Sequence, residues 1–189
     1  MKHILFMGLI IIFIISACQK TEENQVLSQD ELIKKGEYLV IVAGCNDCHS
    51  PKQYTAEGPV PDANLLLSGH PQNSKLPYLD PESIGPGKWI LMNEHLTAFV
   101  GSWGMSFAAN LTPDEQTGLG MWNEEHFKNA MRTGKHMGMG RTILPPMPWF
   151  NLMHAKDEDL KAIFAYLKSV KPVKNLVPGP IPPDKLAQM

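Results

Sequence analysis

The stretch AGCNDCHSPK, residues 43–52, holds two of the three cysteines of this 189-residue chain, and a histidine follows the second one directly. A Cys-x-x-Cys pair occurs in redox dithiols, in zinc sites and in the attachment sites of haem. These three chemistries need different partners elsewhere in the chain. The remaining sequence therefore decides among them.

Two of the three interpretations lack their partners. A structural zinc needs four nitrogen or sulfur ligands, usually as two closely spaced pairs, and the chain has neither a second cysteine pair nor a His-x3–5-His pair. A thioredoxin-like dithiol is expected between a strand and a helix of an alternating β/α pattern. The residues before Cys45 show a helical pattern instead, so both interpretations are disfavoured.

The haem interpretation requires Cys-x-x-Cys-His as one unit, and residues 45–49 supply it completely. The two thiols add across the haem vinyl groups, and the adjacent histidine gives a nitrogen to the iron. The sequence therefore predicts one covalently attached haem c. Cys45 and Cys48 are its anchors, and His49 is the first axial ligand of the metal.

The N-terminus has the pattern of an export signal. Lys2 precedes an apolar run from Ile4 to Ile15, which is short for a membrane-spanning helix, and small residues lead to Cys18. This ending resembles a bacterial lipoprotein signal, so we expect residues 1–17 to be removed and Cys18 to be lipidated. The alternative is an uncleaved anchor helix. Both predict a protein of the bacterial cell envelope, facing the periplasm and held at the membrane by its anchor.

Composition limits the class of protein. A formal charge of −2 leaves no basic stripe, which argues against nucleic acid as a partner. The chain is long enough for one core, and its 15 glycines and 16 prolines predict much loop. Residues 18–28 are interpreted as a lipidated tether. The tail over 173–189 is proline-rich, and we expect it to run extended over the surface.

Three helices are predicted around this core. Ser28 and Glu31 have capping-box spacing before a helix over about 29–43, in which Gly36 would let another helix cross closely. The other two helices are expected over residues 123–133, with Asn123 as the cap, and from Asp157 to a stop at Pro172.

The middle of the chain has weaker signals. Thr112 and Glu115 have capping-box spacing, which predicts one short helical turn. The stretches KWILM (88–92) and HLTAFV (95–100) are candidate paired strands. A long stretch without a strong period is usually functional or wraps something.

A second axial ligand would separate an electron carrier from an enzyme. The strongest candidate is Met147 in ILPPMPWF, residues 143–150, because prolines on both sides make a rigid loop. A proline-rich surface turn with a buried methionine is the plainer alternative. The other candidate ligands are Met153, Met137 and Met139, or a second histidine, namely His70, His95, His126, His136 or His154.

Several stretches resemble a known family. A helix leading into Cys-x-x-Cys-His, then a methionine loop and a C-terminal amphipathic helix, is similar to class I c-type cytochromes. The stretches NLTPDEQTGLGMW, MRTGKHMGMGR, LPPMPWF and DEDLKAIFAYLKSVKPVKN resemble the cytochrome c subunits of bacterial periplasmic dehydrogenases and related lipoprotein cytochromes. The likeness spans roughly residues 36–177.

This resemblance implies a mainly α, class I cytochrome c fold with long loops over residues 29–172, and the two strand patterns described above add a short β-hairpin in the middle insertion. It implies His49 as the proximal and Met147 as the distal ligand of the iron. A carbonyl near Gly58-Pro59 is the expected hydrogen-bond acceptor of the proximal histidine.

The chain departs from the resemblance at three points. It has one Cys-x-x-Cys-His where the dehydrogenase subunits usually carry two or three haems. Lys156 stands where relatives often have a capping Thr or Ser, so Asp157 is expected to cap the last helix. The segment over 60–110 is longer than a minimal cytochrome needs.

These features predict a membrane-anchored, single-haem electron carrier that passes single electrons between redox partner proteins and catalyses no substrate reaction alone. The alternative is a haem enzyme, peroxidase-like or acting on another small molecule, with a displaceable distal ligand. A gas sensor is a third possibility.

Overall fold

The computed structural model describes residues 27–186 of the chain. The predictions for the signal peptide, for Cys18 and for most of the tether fall on residues 1–26, outside that range. No helix within residues 27–186 is long and apolar enough to cross a membrane.

The described chain is mainly helical, as predicted, with short strands in its middle part. The helices are α1 Gln29–Val42, α2 Cys45–His49, α3 Glu124–Thr133, α4 Trp149–Leu152, α5 Asp157–Ser169 and α6 Pro183–Leu186. The strands are β1 Lys52–Thr55, β2 Gly58–Pro61, β3 Leu91–Met92, β4 Ala98–Gly101 and β5 Gly104–Phe107. Two 3-10 turns cover Pro81–Ser83 and His136–Gly138.

Helices α1 and α5 cross closely. A methyl group placed on Gly36 would lie 1.9 Å from the carbonyl oxygen of Ala162, so only a glycine permits this crossing. Beside it, Lys35 Nζ lies 2.6 Å from the Asp159 carboxylate. The predicted role of Gly36 is confirmed, and so is the Ser28 capping box at the start of α1.

Helix α3 completes the main core. The rings of Phe127 on α3 and Phe164 on α5 stack with centroids 5.5 Å apart. Asn123 caps α3 as predicted, and Gly134 ends it in the left-handed conformation with φ 65°. The buried members of this main cluster are Val40, Leu67, Leu119, Phe127, Ala130, Met131, Leu160, Ile163, Phe164 and Leu167.

The middle insertion forms its own small sheet, in the order β3-β4-β5 with both pairs antiparallel. The predicted strand pair is confirmed, but it is shorter than the two sequence stretches and a third strand extends it. A separate hairpin of β1 and β2 was not predicted. The unpredicted strands β2 and β5 begin at Gly58 and Gly104, and β2 also contains two prolines, so their residues do not give a strand pattern.

The C-terminal tail packs against this sheet. Met105 on β5 exchanges two backbone hydrogen bonds with Ile181, at 2.8 and 2.9 Å. Leu186 on α6 is buried in a second apolar cluster with Val100 and Met105. The tail therefore adds an edge and a buried side chain to the insertion.

Two predicted caps are wrong because other hydrogen-bond partners take the side chains. The Thr112 hydroxyl donates to Asn110 Oδ1 at 2.7 Å and no helix follows it. Lys156, not Asp157, occupies the N-cap position of α5, and it makes no side-chain cap bond. The Asp157 carboxylate instead accepts from Arg132 at 2.6 Å.

Candidate functional site

The cysteine motif forms a single helical turn that follows α1 almost directly. Gly44 adopts φ 68°, a left-handed conformation that turns the chain from α1 into α2. On a helix, residues three and four positions apart lie on one face, so Cys45, Cys48 and His49 project from the same side. Both cysteines are half-buried thiols with no disulfide. The local fold thus brings the three predicted residues together.

The His49 imidazole is buried and held in one orientation. Its Nδ1 lies 2.7 Å from the carbonyl oxygen of Ala109. A carbonyl only accepts, so Nδ1 carries the hydrogen and donates it, and Nε2 keeps its lone pair. Burial lowers the pKa of His49, which favours the neutral ring, although the Ala109 hydrogen bond acts in the opposite direction. A neutral imidazole with an available Nε2 is the form that binds a metal.

Gly69 allows the close approach that creates this hydrogen bond. Its backbone N–H donates to the His49 carbonyl at 2.8 Å, and its φ is 77°. A methyl group placed there would lie 2.5 Å from the Ala108 oxygen and 2.7 Å from the Ala109 oxygen. A side chain at this position would therefore displace the carbonyl that orients His49.

Lys52 supports the turn from its C-terminal end. Its buried Nζ donates to the carbonyl oxygens of Asn46 at 3.1 Å and Asp47 at 2.8 Å, and also to the carbonyl of Ser50. A cation at the C-terminal end of a helix stabilises its unpaired carbonyls. Lys52 thus fixes the turn that carries the two cysteines and His49.

The thiols of Cys45 and Cys48 are protonated in the partly buried turn. Burial raises the pKa of Cys45 to about 11 and also raises the pKa of Cys48. A structural zinc needs four nitrogen or sulfur ligands, usually as two closely spaced pairs. Within residues 27–186, no three His, Cys, Asp or Glu side chains form a group that could hold a metal ion. Two neutral thiols beside an imidazole with an available Nε2 fit a covalently attached haem c.

Met147 packs against the same main apolar cluster as Cys45. The other methionine candidates lie elsewhere in the described chain: Met139 is 85% exposed, Met153 is 36% exposed, and Met137 is half-buried in the His136–Gly138 turn. The structure therefore places Met147 and Cys45 on one shared apolar cluster.

The loop that carries Met147, residues 144–147, is attached at few points. Just before it, the Ile143 N–H donates to the Gly134 carbonyl at 2.8 Å. Farther along, the Ser106 hydroxyl donates to the Pro145 carbonyl at 2.5 Å. The peptide between Pro145 and Pro146 is cis.

The histidines considered as alternative ligands have other surroundings. His70 is buried, and its Nδ1 lies 2.9 Å from Thr97 Oγ1. His154 is exposed. The remaining three contact neighbours as follows: His95 Nδ1 accepts from the Lys52 N–H, His126 Nδ1 accepts from the Asn123 N–H, and the His136 ring meets the edge of Trp122.

The predicted acceptor near Gly58-Pro59 is wrong. The Gly58 carbonyl lies in the β1–β2 hairpin, where it accepts from the Thr55 hydroxyl at 2.9 Å. The hydrogen bond of His49 goes to Ala109 instead. Sequence reasoning missed Ala109, Gly69 and Lys52, and a backbone carbonyl has no residue-type signal that could have identified it.

No protein-family model matches the chain. Among curated proteins, the gluconate 2-dehydrogenase cytochrome c subunit of Pantoea cypripedii is 30% identical over 147 residues, which cover 77% of this chain and 25% of that protein. The fructose dehydrogenase cytochrome subunit of Gluconobacter japonicus is 26% identical over 156 residues, covering 82% of this chain and 25% of the relative. A diheme cytochrome c-type protein of Cereibacter sphaeroides is 24% identical over 179 residues, covering 91% and 50%.

The chain thus spans a quarter to a half of the length of these relatives. Their names agree with the chemistry of the Cys45–His49 turn and with the mainly helical fold. The chain is therefore similar to the cytochrome c subunits of bacterial dehydrogenases, and its fold is the mainly α, cytochrome c-like fold with added short strands.

Proposed function

We propose that this chain is a single-haem c-type cytochrome that passes single electrons between redox partner proteins. The observation that carries the proposal is the His49 imidazole, which is buried beside two thiols, oriented by the Ala109 carbonyl and left with an available Nε2. Cys45 and Cys48 are the thioether anchors, His49 the proximal ligand and Met147 the distal ligand.

Each of these side chains has a defined task in the proposal. The cysteines hold the cofactor covalently, and His49 supplies a nitrogen whose direction is set by the hydrogen bond at Nδ1. Met147 supplies a thioether from an apolar cluster that excludes water. A bound haem c would provide a one-electron couple, and His/Met ligation raises its potential.

The proposed number of haems comes from this chain's own sequence, and the proposed redox partner comes from the names of its relatives. The chain contains one Cys-x-x-Cys-His, whereas one relative is named diheme and is twice as long as the matched region. The relatives named as dehydrogenase subunits suggest a dehydrogenase as one redox partner of this chain. We therefore propose one haem, supplied with electrons by a dehydrogenase.

The proposed location is the bacterial cell envelope, with the domain facing the periplasm. The apolar run from Ile4 to Ile15 and the residues before Cys18 support a lipoprotein signal. Lipidation at Cys18 would anchor the domain through the tether ahead of α1. Mass spectrometry of protein from the membrane fraction tests this, because an intact residue 1 would contradict cleavage and lipidation.

Absorption spectroscopy of the purified oxidised protein tests the central proposal. A near-red Met-to-iron charge-transfer band is expected in the unmodified chain and is expected to disappear in Met147→Ala. The matched control is Met153→Ala, which changes a more exposed methionine nearby and should keep the band.

Cyanide and peroxide distinguish the carrier from the enzyme. The carrier should bind cyanide slowly and weakly, because Met147 must leave first, and should not turn over peroxide. Rapid cyanide binding by the unmodified protein, together with no charge-transfer band, would contradict Met147 ligation and favour the peroxidase-like alternative.

A further inference from the structure

The Met147 loop makes unusually few hydrogen bonds of its own. Prolines at 145, 146 and 148 carry no backbone N–H. Within residues 27–186, the bond from the Ser106 hydroxyl to the Pro145 carbonyl is the one hydrogen bond made by residues 144–147. The loop therefore depends on a side chain from another part of the fold.

Ser106 is well placed to supply that support. Its side chain is buried, and its hydroxyl accepts a hydrogen bond from Trp103 Nε1 at 3.3 Å. The hydroxyl has one hydrogen, which it donates to the Pro145 carbonyl at 2.5 Å. Trp103 thus directs the Ser106 hydrogen toward the loop.

Strand β5, which contains Ser106, is hydrogen-bonded along both edges. Ser106 pairs with Phe99 on β4, and the neighbouring Met105 exchanges two backbone hydrogen bonds with Ile181 of the tail. Side chains alternate along a strand, so Met105 enters the second apolar cluster while Ser106 points away from it. Because both edges of β5 are hydrogen-bonded, the strand cannot readily move with the Met147 loop.

We propose that Ser106 is a positioning residue for Met147, acting through the Pro145 carbonyl. This inference rests on the proposed function and assigns a task to the long middle insertion: its β5 strand braces the distal-ligand loop. Loss of the hydroxyl makes Met147 easier to displace from the iron, while the apolar packing of the domain stays in place.

Competition by added imidazole tests the inference. Imidazole occupies the iron only when Met147 has left, so its affinity reports how firmly the loop is held. Ser106→Ala is expected to bind imidazole roughly fivefold more tightly, which corresponds to about 1 kcal/mol, the net contribution of one hydrogen bond. The charge-transfer band should weaken in the same variant.

The matched control is Ser102→Ala, which changes an exposed serine in the turn between β4 and β5. Its imidazole affinity and band should equal those of the unmodified protein. A urea-unfolding midpoint is measured for each variant, because a merely structural serine would lower the midpoint and leave the imidazole affinity unchanged.

The outcomes separate this inference from the proposed function. An unmodified protein with the band, and a Ser106→Ala variant with unchanged imidazole affinity, would overturn the positioning role alone. An unmodified protein without the band would overturn Met147 ligation and this inference together. If Ser106→Ala does not fold, Trp103→Phe carries the test, with roughly twofold tighter imidazole binding expected and unchanged binding overturning the role.

Discussion

The two sides of the candidate site are built differently. His49 sits on a helical turn that is fixed by the Ala109 carbonyl, by three carbonyl contacts of Lys52, and by Ser50, whose hydroxyl accepts from the Leu67 N–H at 2.9 Å. Met147 sits on a proline-stiffened loop with one brace, at Ser106. The proximal side is therefore held by many hydrogen bonds, and the distal loop by its prolines, its apolar packing and a single hydrogen bond.

The largest expected effect comes from crowding at Gly69, on the proximal side. Gly69→Ala should lower the free energy of unfolding by about 2–5 kcal/mol, because it adds left-handed strain and pushes the Ala108 and Ala109 carbonyls. Urea unfolding followed by far-ultraviolet circular dichroism measures the change.

Gly87 provides a matched control for this variant. It has φ 76°, nearly the 77° of Gly69, but a methyl group there would meet nothing within 4 Å. Gly87→Ala should therefore show only the strain, about 1–2 kcal/mol. Equal losses in the two variants would mean that the approach of the Ala109 carbonyl does not depend on Gly69.

Removing the Lys52 ammonium tests the other support of the proximal turn. Lys52→Met should lower the free energy of unfolding by about 2 kcal/mol, because partly buried carbonyls of the turn lose their charged donor. Urea unfolding measures this loss against Lys75→Met, a change at an exposed lysine. Equal losses of unfolding free energy in the two variants would mean that the Lys52 ammonium does not stabilise the turn.

The smallest expected effect lies on the distal side, at the start of α5. Arg132 donates to Asp157 at 2.6 Å and to the Ala155 carbonyl at 2.7 Å, just after the Met147 loop and α4. The hydrogen bond from Arg132 lowers the pKa of Asp157, and the charge of Lys128 adds to this.

The sign of the resulting pH dependence follows from this lowered pKa. Because the folded-state pKa lies below the unfolded value of about 4, ionised Asp157 stabilises the fold above that value. The contribution is lost as the pH falls through the folded pKa. Asp157→Asn should therefore flatten the fall in unfolding free energy below about pH 4, as measured by urea unfolding over a pH series. An unchanged slope would show that the Arg132 bond does not persist in solution.

The sequence predicted best what is local in the chain. The Cys45–His49 unit, the Ser28 and Asn123 caps and the close crossing at Gly36 all depend on residues near one another or on the size of one residue. These features do not depend on the rest of the fold, so the structure shows them as predicted.

What the sequence could not predict comes from distant partners. Thr112 has a capping pattern, but its hydroxyl accepts from the Val173 N–H of the tail at 3.0 Å. The acceptor of His49 is a backbone carbonyl of an alanine, and any residue type could provide it. The brace at Ser106 depends on strand register, which short stretches specify weakly.

The bond between His49 and Ala109 joins residues 60 positions apart. During synthesis from the N-terminus, the complete Cys-x-x-Cys-His unit thus emerges well before the carbonyl that orients its imidazole, and the Met147 loop emerges later still. An isolated peptide of this unit would keep every residue of the motif and lose the preferred tautomer of its histidine. The direction of the proximal nitrogen is a product of chain closure over a long sequence separation, and it exists only in the folded domain.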